Sequence, residues 1–187
     1  MKRRTPGGAC VEPATLTITA LLLAVPVAAR ADCAPVLAAY AKAEATKRYA
    51  IYEVDRVDGA PKGPPIVVTI GADDYTQRYD HRSPLDVVPA GFAKGAHMPN
   101  RESDALQARE RSGGAHCEPV GERKVGTTTT IGYRIHRHRG DDPLAIDLLV
   151  DRATGLPFVH GMGLENGGFR WVYGSAVVAP PVRAAGG

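Results

Sequence analysis

Only three cysteines occur among the 187 residues, and no two share a Cys-x-x-Cys spacing, which excludes a thioredoxin-type redox motif. Ser83, Ser103, Ser112 and Ser175 stand in no Gly-x-Ser-x-Gly setting, and no Ser/His/Asp triad assembles from spacing. Gly161-Met162-Gly163 precedes no helical pattern, so it is not a dinucleotide fingerprint. The Asp141-Asp142 pair precedes Pro143, where a turn accounts for it without general acid–base chemistry. The sequence therefore points away from an enzyme and calls for no cofactor. Long apolar runs are missing too. Ala14 to Val27 is interrupted by Pro26 and falls short of the roughly 20 residues that a membrane-spanning helix needs.

What that apolar run fits is an export leader. Lys2, Arg3 and Arg4 precede it, and Ala29-Arg30-Ala31 supplies small residues at the −3 and −1 positions of a signal peptidase site. Cleavage is expected after Ala31, giving a periplasmic chain without a transmembrane segment. The leader takes four of the 23 basic residues and one of the 20 acidic ones, so 156 residues remain with 19 of each sign. A net charge of zero removes the cationic surplus that nucleic-acid binding requires. Lipidation has no lipobox to act on, because Arg30 and Asp32 flank the approach to Cys33. Cys10 leaves with the leader. Cys33 and Cys117 remain as an even pair in an exported chain, the usual signature of a structural disulfide, worth roughly 4 kcal/mol through loop closure.

Residues 32–178 read as one domain. Asp32 to about Arg48 is a helix, with Val36, Tyr40 and Ala43 on one stripe, Asp32 as N-cap and Pro35 in the first turn. The period then changes to two. Strands are expected over Tyr49–Val57, Ile66–Ile70 and Tyr75–Asp80, then over Cys117–Val125, Thr127–Arg139, Leu144–Asp151, Leu156–Met162 and Phe169–Val178. Between them 81–114 is broken by Pro84, Pro89, Gly91, Gly95 and Pro99 and reads as an irregular insert, with Ser103–Arg111 able to form a short helix. Residues 179–187 read as a loose tail. The fold class is α+β: one N-terminal helix on a curved antiparallel sheet of seven or eight strands.

Two sets of side chains carry binding chemistry. His136 and His138 lie two apart on a strand, about 6.7 Å from each other on one side. With Asp141 or His160 they make a candidate zinc or copper site, although Arg134, Arg137 and Arg139 oppose a cation there. The second set is aromatic: Tyr40, Tyr52, Tyr75, Tyr79, Tyr133, Phe158, Trp171 and Tyr173. Apolar bodies with polar tips suit an amphipathic cavity for lipid or peptide, and ordinary core packing is the competing reading.

The run Ile146 to Pro157, ending Asp151-Arg152-Ala153-Thr154-Gly155-Leu156-Pro157, resembles the strand–Asp–Thr-Gly-Leu-Pro hairpin of the periplasmic lipoprotein-carrier (LolA/LolB-like) superfamily. Phe169 to Gly174 followed by Val177-Val178-Ala179-Pro180 is similar to its closing strand, and Asp32 to Val57 to its opening helix and strand. The resemblance implies an incompletely closed half-barrel with a helix over its concave face, binding acyl chains or another apolar ligand there. Arg56, Arg78 and Arg134 compete for the place of the family's cavity arginine, and the 81–114 insert and the disulfide depart from the pattern. The leading expectation is an apolar-ligand binder. A module that contacts an envelope protein through 81–114 is the alternative, and metal binding at His136 and His138 comes third.

Overall fold

A computed structural model of the chain describes residues 32–83, 86–98, 101–139 and 142–182. The expected leader, residues 1–31, lies outside them. Among the described residues no helix is long and apolar enough to cross a membrane.

Helix α1 (Ala34–Thr46) leads directly into the first strand. The strands are β1 (Arg48–Val54), β2 (Val67–Ile70), β3 (Asp73–Ser83), β4 (Asp86–Ala96), β5 (Ala115–Val125), β6 (Thr128–Arg139), β7 (Asp142–Asp151), β8 (Pro157–Gly161) and β9 (Gly168–Tyr173); helix α2 (Arg101–Arg111) joins β4 to β5. All nine form one open antiparallel sheet in the order β4-β3-β2-β1-β9-β8-β7-β6-β5. The α+β class and the antiparallel meander agree with the pattern of turns. The count does not: among the described residues there are nine strands, not seven or eight, and two α-helices.

The extra strand comes from the stretch read as irregular. β4 carries Pro89, Gly91 and Gly95, which look like strand breakers in sequence. It is an edge strand, however, where a missing N–H costs no ladder bond on the open side. Its register with β3 shifts between Gln77 and Tyr79, which absorbs the irregularity. The other edge behaves the same way. β5 holds Pro119 and Gly121, with a register shift between them against β6. In both edge strands the proline falls within the strand, whereas the prolines of the interior strands, Pro143 of β7 and Pro157 of β8, stand at strand starts. The expected helix over 103–111 is part of α2, whose Leu106 is buried.

α1 starts one residue later than its sequence suggests. Cys33 is the N-cap, and the Asp32 carboxylate accepts the Ala34 amide at 2.9 Å. Lys47 ends the helix in a left-handed conformation, φ 48°, which turns the chain at once into β1. β1 is the seam of the molecule. It pairs with β2 (Ile51 opposite Val67) and with β9 (Tyr49 opposite Tyr173, Ile51 opposite Trp171), so the first and last strands meet at the middle of the sheet.

Alternation along the strands divides the core. Val36, Ala39, Tyr40 and Ala43 of α1 pack with Tyr49, Ile135, Leu148, Val150 and Trp171 on one face. The other face holds Val54, Val57, Val125, Leu149, Val159 and Leu164 at one end, and Ala50, Val68, Tyr75, Phe92 and Val177 at the other. At the hinge between β8 and β9, Gly167 (φ 88°) passes so close to Val54 that a Cβ would collide with its carbonyl oxygen. Val177 is brought to the second face by a turn at Gly174, and its carbonyl accepts both Nε and Nη2 of Arg48 at 3.1 and 2.9 Å. Of the stretch read as a tail, Val182 bridges Phe92 in parallel, and 183–187 lie outside the described residues.

Candidate functional site

The face beneath α1 is unusual in what fills it. The buried residues of the helix are Val36, Ala39, Tyr40 and Ala43, with Leu37 packed half-buried beside them. The bulk comes from the sheet as a continuous aromatic layer. Tyr40 and Tyr49 lie with ring centroids 6.4 and 5.0 Å from Trp171, Tyr173 stacks on Trp171 at 6.2 Å, and His160 follows at 6.2 Å from Trp171 and 5.2 Å from Phe169. The layer begins in the interior, where Trp171 is 5% exposed, and ends at the surface, where Phe169 is 37% exposed.

Its polar tips are all engaged. Trp171 Nε1 donates to His160 Nδ1 at 3.3 Å, and Tyr173 donates its hydroxyl to Pro157 O at 3.0 Å. Burial raises the Tyr173 phenol far above its ordinary range. The Tyr49 phenol is pushed up to about 12, chiefly by burial and then by the charges of Glu44 and Asp74, against a lowering hydrogen bond with Thr69. Both phenols are therefore neutral at any physiological pH, and the layer presents apolar bodies with engaged tips.

α1 is tied down at its two ends. At the N-terminus the Cys33–Cys117 disulfide, 84 residues apart in sequence, fastens it to β5, and Glu110 of α2 accepts the Cys33 amide at 2.8 Å. At the C-terminus the tie is ionic. His97, just past β4, places Nε2 2.7 Å from Glu44 Oε2 on α1 and Nδ1 2.8 Å from Asp74 Oδ1 on β3. Asp74 also accepts the Thr69 hydroxyl at 2.7 Å and the Met98 amide at 3.0 Å. Carboxylates only accept, so both contacts are hydrogen bonds only when the ring donates from both nitrogens, as imidazolium. Burial disfavours that charge, but the hydrogen bonds and charges of Asp74 and Glu44 outweigh it and raise the His97 pKa above its ordinary value.

A pH dependence follows from that direction. A group whose pKa is higher in the folded chain contributes stability that is complete below its unfolded pKa, about 6.5, and is lost as pH rises through the folded value. Thermal melts taken from about pH 6 to about pH 9 are expected to show a falling Tm, and His97→Gln is expected to remove that slope while costing about 2 kcal/mol at the acid end. An unchanged slope in the variant assigns it to other groups.

The eight aromatic candidates are not gathered at one place. Tyr40, Tyr133, Trp171 and Tyr173 belong to the α1 face. Tyr52 and Tyr75 pack on the opposite face, Tyr75 under Lys94 Nζ at 5.9 Å. Phe158 joins the second core cluster with Arg170 over its ring at 5.3 Å. Tyr79 is exposed, and its hydroxyl donates to Gln77 at 2.8 Å. Tyr49, Phe169 and His160 were missed. Tyr49 was readable, since it alternates with Ile51 on β1; His160 was not, because only the β8–β9 pairing brings it to Phe169.

Of the histidine pair, His136 has partners other than those proposed. His136 Nε2 meets Glu118 Oε1 at 3.0 Å, and its ring stacks on His116 at 4.5 Å and 9°. That hydrogen bond holds the Glu118 carboxyl below its ordinary pKa. His160 is engaged with Trp171, and Asp141 and the His138 side chain lie outside the described residues. Among the described residues, no group of three or more His, Cys, Asp or Glu side chains is placed to hold a metal ion. Of the three candidate cavity arginines, Arg134 pairs in a fork with Asp147 (2.8 and 3.2 Å), Arg56 pairs with Asp58 at 3.2 Å, and Arg78 is exposed.

Compared with known proteins, the chain matches no family model, no curated protein and no solved structure.

Proposed function

We propose that the protein is an exported, non-enzymatic periplasmic binding protein whose ligand is apolar, a lipid or acyl chain taken up between α1 and the curved sheet. The observation that carries this reading is the aromatic layer running from Trp171 in the interior to Phe169 at the surface. Such a layer offers apolar area with no unpaired polar tip, which suits an acyl chain. The attachment of α1 supports the same reading. A disulfide and an ionic tie hold the two ends of α1 over the layer, so an acyl chain that displaces the packing of its middle leaves the helix attached to the domain. The disulfide is compatible with an oxidising compartment outside the cytoplasm. The resemblance to lipoprotein carriers, with a half-barrel and helix cover, points in the same direction.

Native mass spectrometry tests this on the full chain expressed with its leader and recovered from the periplasm. The expected result is a chain beginning at Asp32, two hydrogens lighter than its reduced form, carrying a species of lipid mass that organic extraction removes. Trp171 is the only tryptophan, so its emission reports the layer directly; adding oleate to the extracted protein is expected to shift it. A bare mass together with an emission unmoved by oleate overturns the reading.

A further inference from the structure

A second recess lies away from the aromatic layer. The chain after β1 (Arg56, Val57, Asp58), the β5–β6 turn (Arg123, Lys124, Val125, Gly126) and a short 3-10 turn (Leu164, Glu165) enclose a groove of about 390 Å³. At its base the edges of Val57, Val125 and Leu164, buried members of the second core cluster, reach the surface. Its rim is charged, and the charges do not cancel. Arg56 is taken by Asp58 at 3.2 Å, whereas neither Arg123 nor Lys124 pairs with a carboxylate among the described residues.

Beside the groove a third cation stands only partly satisfied. Arg170 donates Nη2 to the carbonyl of Val57, a lining residue, and lies over the Phe158 ring, while its Nε is buried with no hydrogen-bond partner. Burial works against its charge, with Asp58 giving partial relief. A buried guanidinium donor left unpaired is costly, so Arg170 adds uncompensated positive charge behind the groove wall. Three lining cations (Arg56, Arg123, Lys124) therefore face two carboxylates, Asp58 and Glu165, with Arg170 behind them on the Val57 carbonyl.

We propose that this groove binds a small amphiphilic anion, its anionic head at Arg123 and Lys124 and its short apolar body on Val57, Val125 and Leu164. The site is separate from the aromatic layer and does not rest on the function proposed above. Such a head reaches the protein either as a free short-chain carboxylate or on an anionic membrane lipid, and the test separates the two. Octanoate, octanol and vesicles with and without phosphatidylglycerol are titrated into the extracted full-length protein, following the amides of Gly126 and Leu164 by NMR and Trp171 emission in parallel. Octanoate is expected to shift the two amides, leave Trp171 emission unchanged and bind more weakly at high salt. Arg123→Glu with Lys124→Glu is expected to reduce affinity roughly ten-fold or more, and Arg123→Gln with Lys124→Gln by less. Binding to phosphatidylglycerol vesicles alone, lost in the charge-reversed variant, identifies the lipid as the source. Octanol binding as well as octanoate, or affinity indifferent to both double variants, overturns the proposal. So does the absence of binding to octanoate and to vesicles.

Discussion

Replacing Cys33 and Cys117 together by alanine is expected to lower the free energy of unfolding by about 4 kcal/mol. The bond closes a loop of 84 residues, so most of its effect falls on the unfolded chain, which gains freedom when the link is cut. Against a total of roughly 5–15 kcal/mol for a domain of this kind, that is a large share. Alanine is the right replacement because both cysteines are fully buried, and a serine hydroxyl would add a desolvation cost of its own. Urea unfolding followed by circular dichroism measures the loss as a lower midpoint at nearly constant slope. The folded state should change locally as well. The Cys33–Glu110 contact and the packing of Val36 are then what hold the start of α1, so hydrogen exchange is expected to accelerate there before it does in β6 and β7. A variant as stable as the parent would mean that the reduced, unfolded chain already holds these two segments close together.

Trp171→Ala is the second large effect expected, about 3–5 kcal/mol. The indole touches Tyr40, Tyr49, Tyr173 and His160, and no flexible side chain among them can swing in to fill the space it leaves. The neighbours lose both contact and, at His160, a hydrogen-bond donor. Trp171→Phe should cost less, since it keeps the ring stack and loses only the donor and part of the volume. The two substitutions also bear on function. If acyl chains lodge in this layer, the alanine variant presents a larger apolar space, and a chain added to it should restore part of the lost stability through binding to the folded form alone. Thermal melts with and without oleate read that recovery. Equal recovery in the parent and in both variants would place the ligand elsewhere.

Much of the architecture was legible because its signals are local. Period-two alternation marks β1, β6 and β7 clearly, and the Asp151–Gly155 turn behaves as its residues dictate: Asp151 Oδ1 accepts the Ala153 amide at 2.8 Å and Gly155 takes φ 67°. The even pair of cysteines was equally plain. β4 was not, because proline and glycine carry the same sequence signal whether they break a strand or sit on its open edge. That distinction depends on which strand has a neighbour, and neighbours are a property of the whole sheet. Gathering eight aromatic residues into one cavity failed for a related reason. Alternation says that Tyr52 and Tyr49 point to opposite sides, but nothing local says which side the helix covers.

By itself, the sequence determined that this chain is a helix followed by an antiparallel meander, that Cys33 and Cys117 join, and that zero net charge awaits any chain cut after Ala31. Tertiary structure alone decided that β1 lies between β2 and β9, that His97 bridges Glu44 and Asp74, and that Arg56, Arg123 and Lys124 gather round one groove. The physical reason is range. Helix periodicity, turn chemistry and strand alternation act over a few residues, while each of these juxtapositions depends on the order in which nine strands pair.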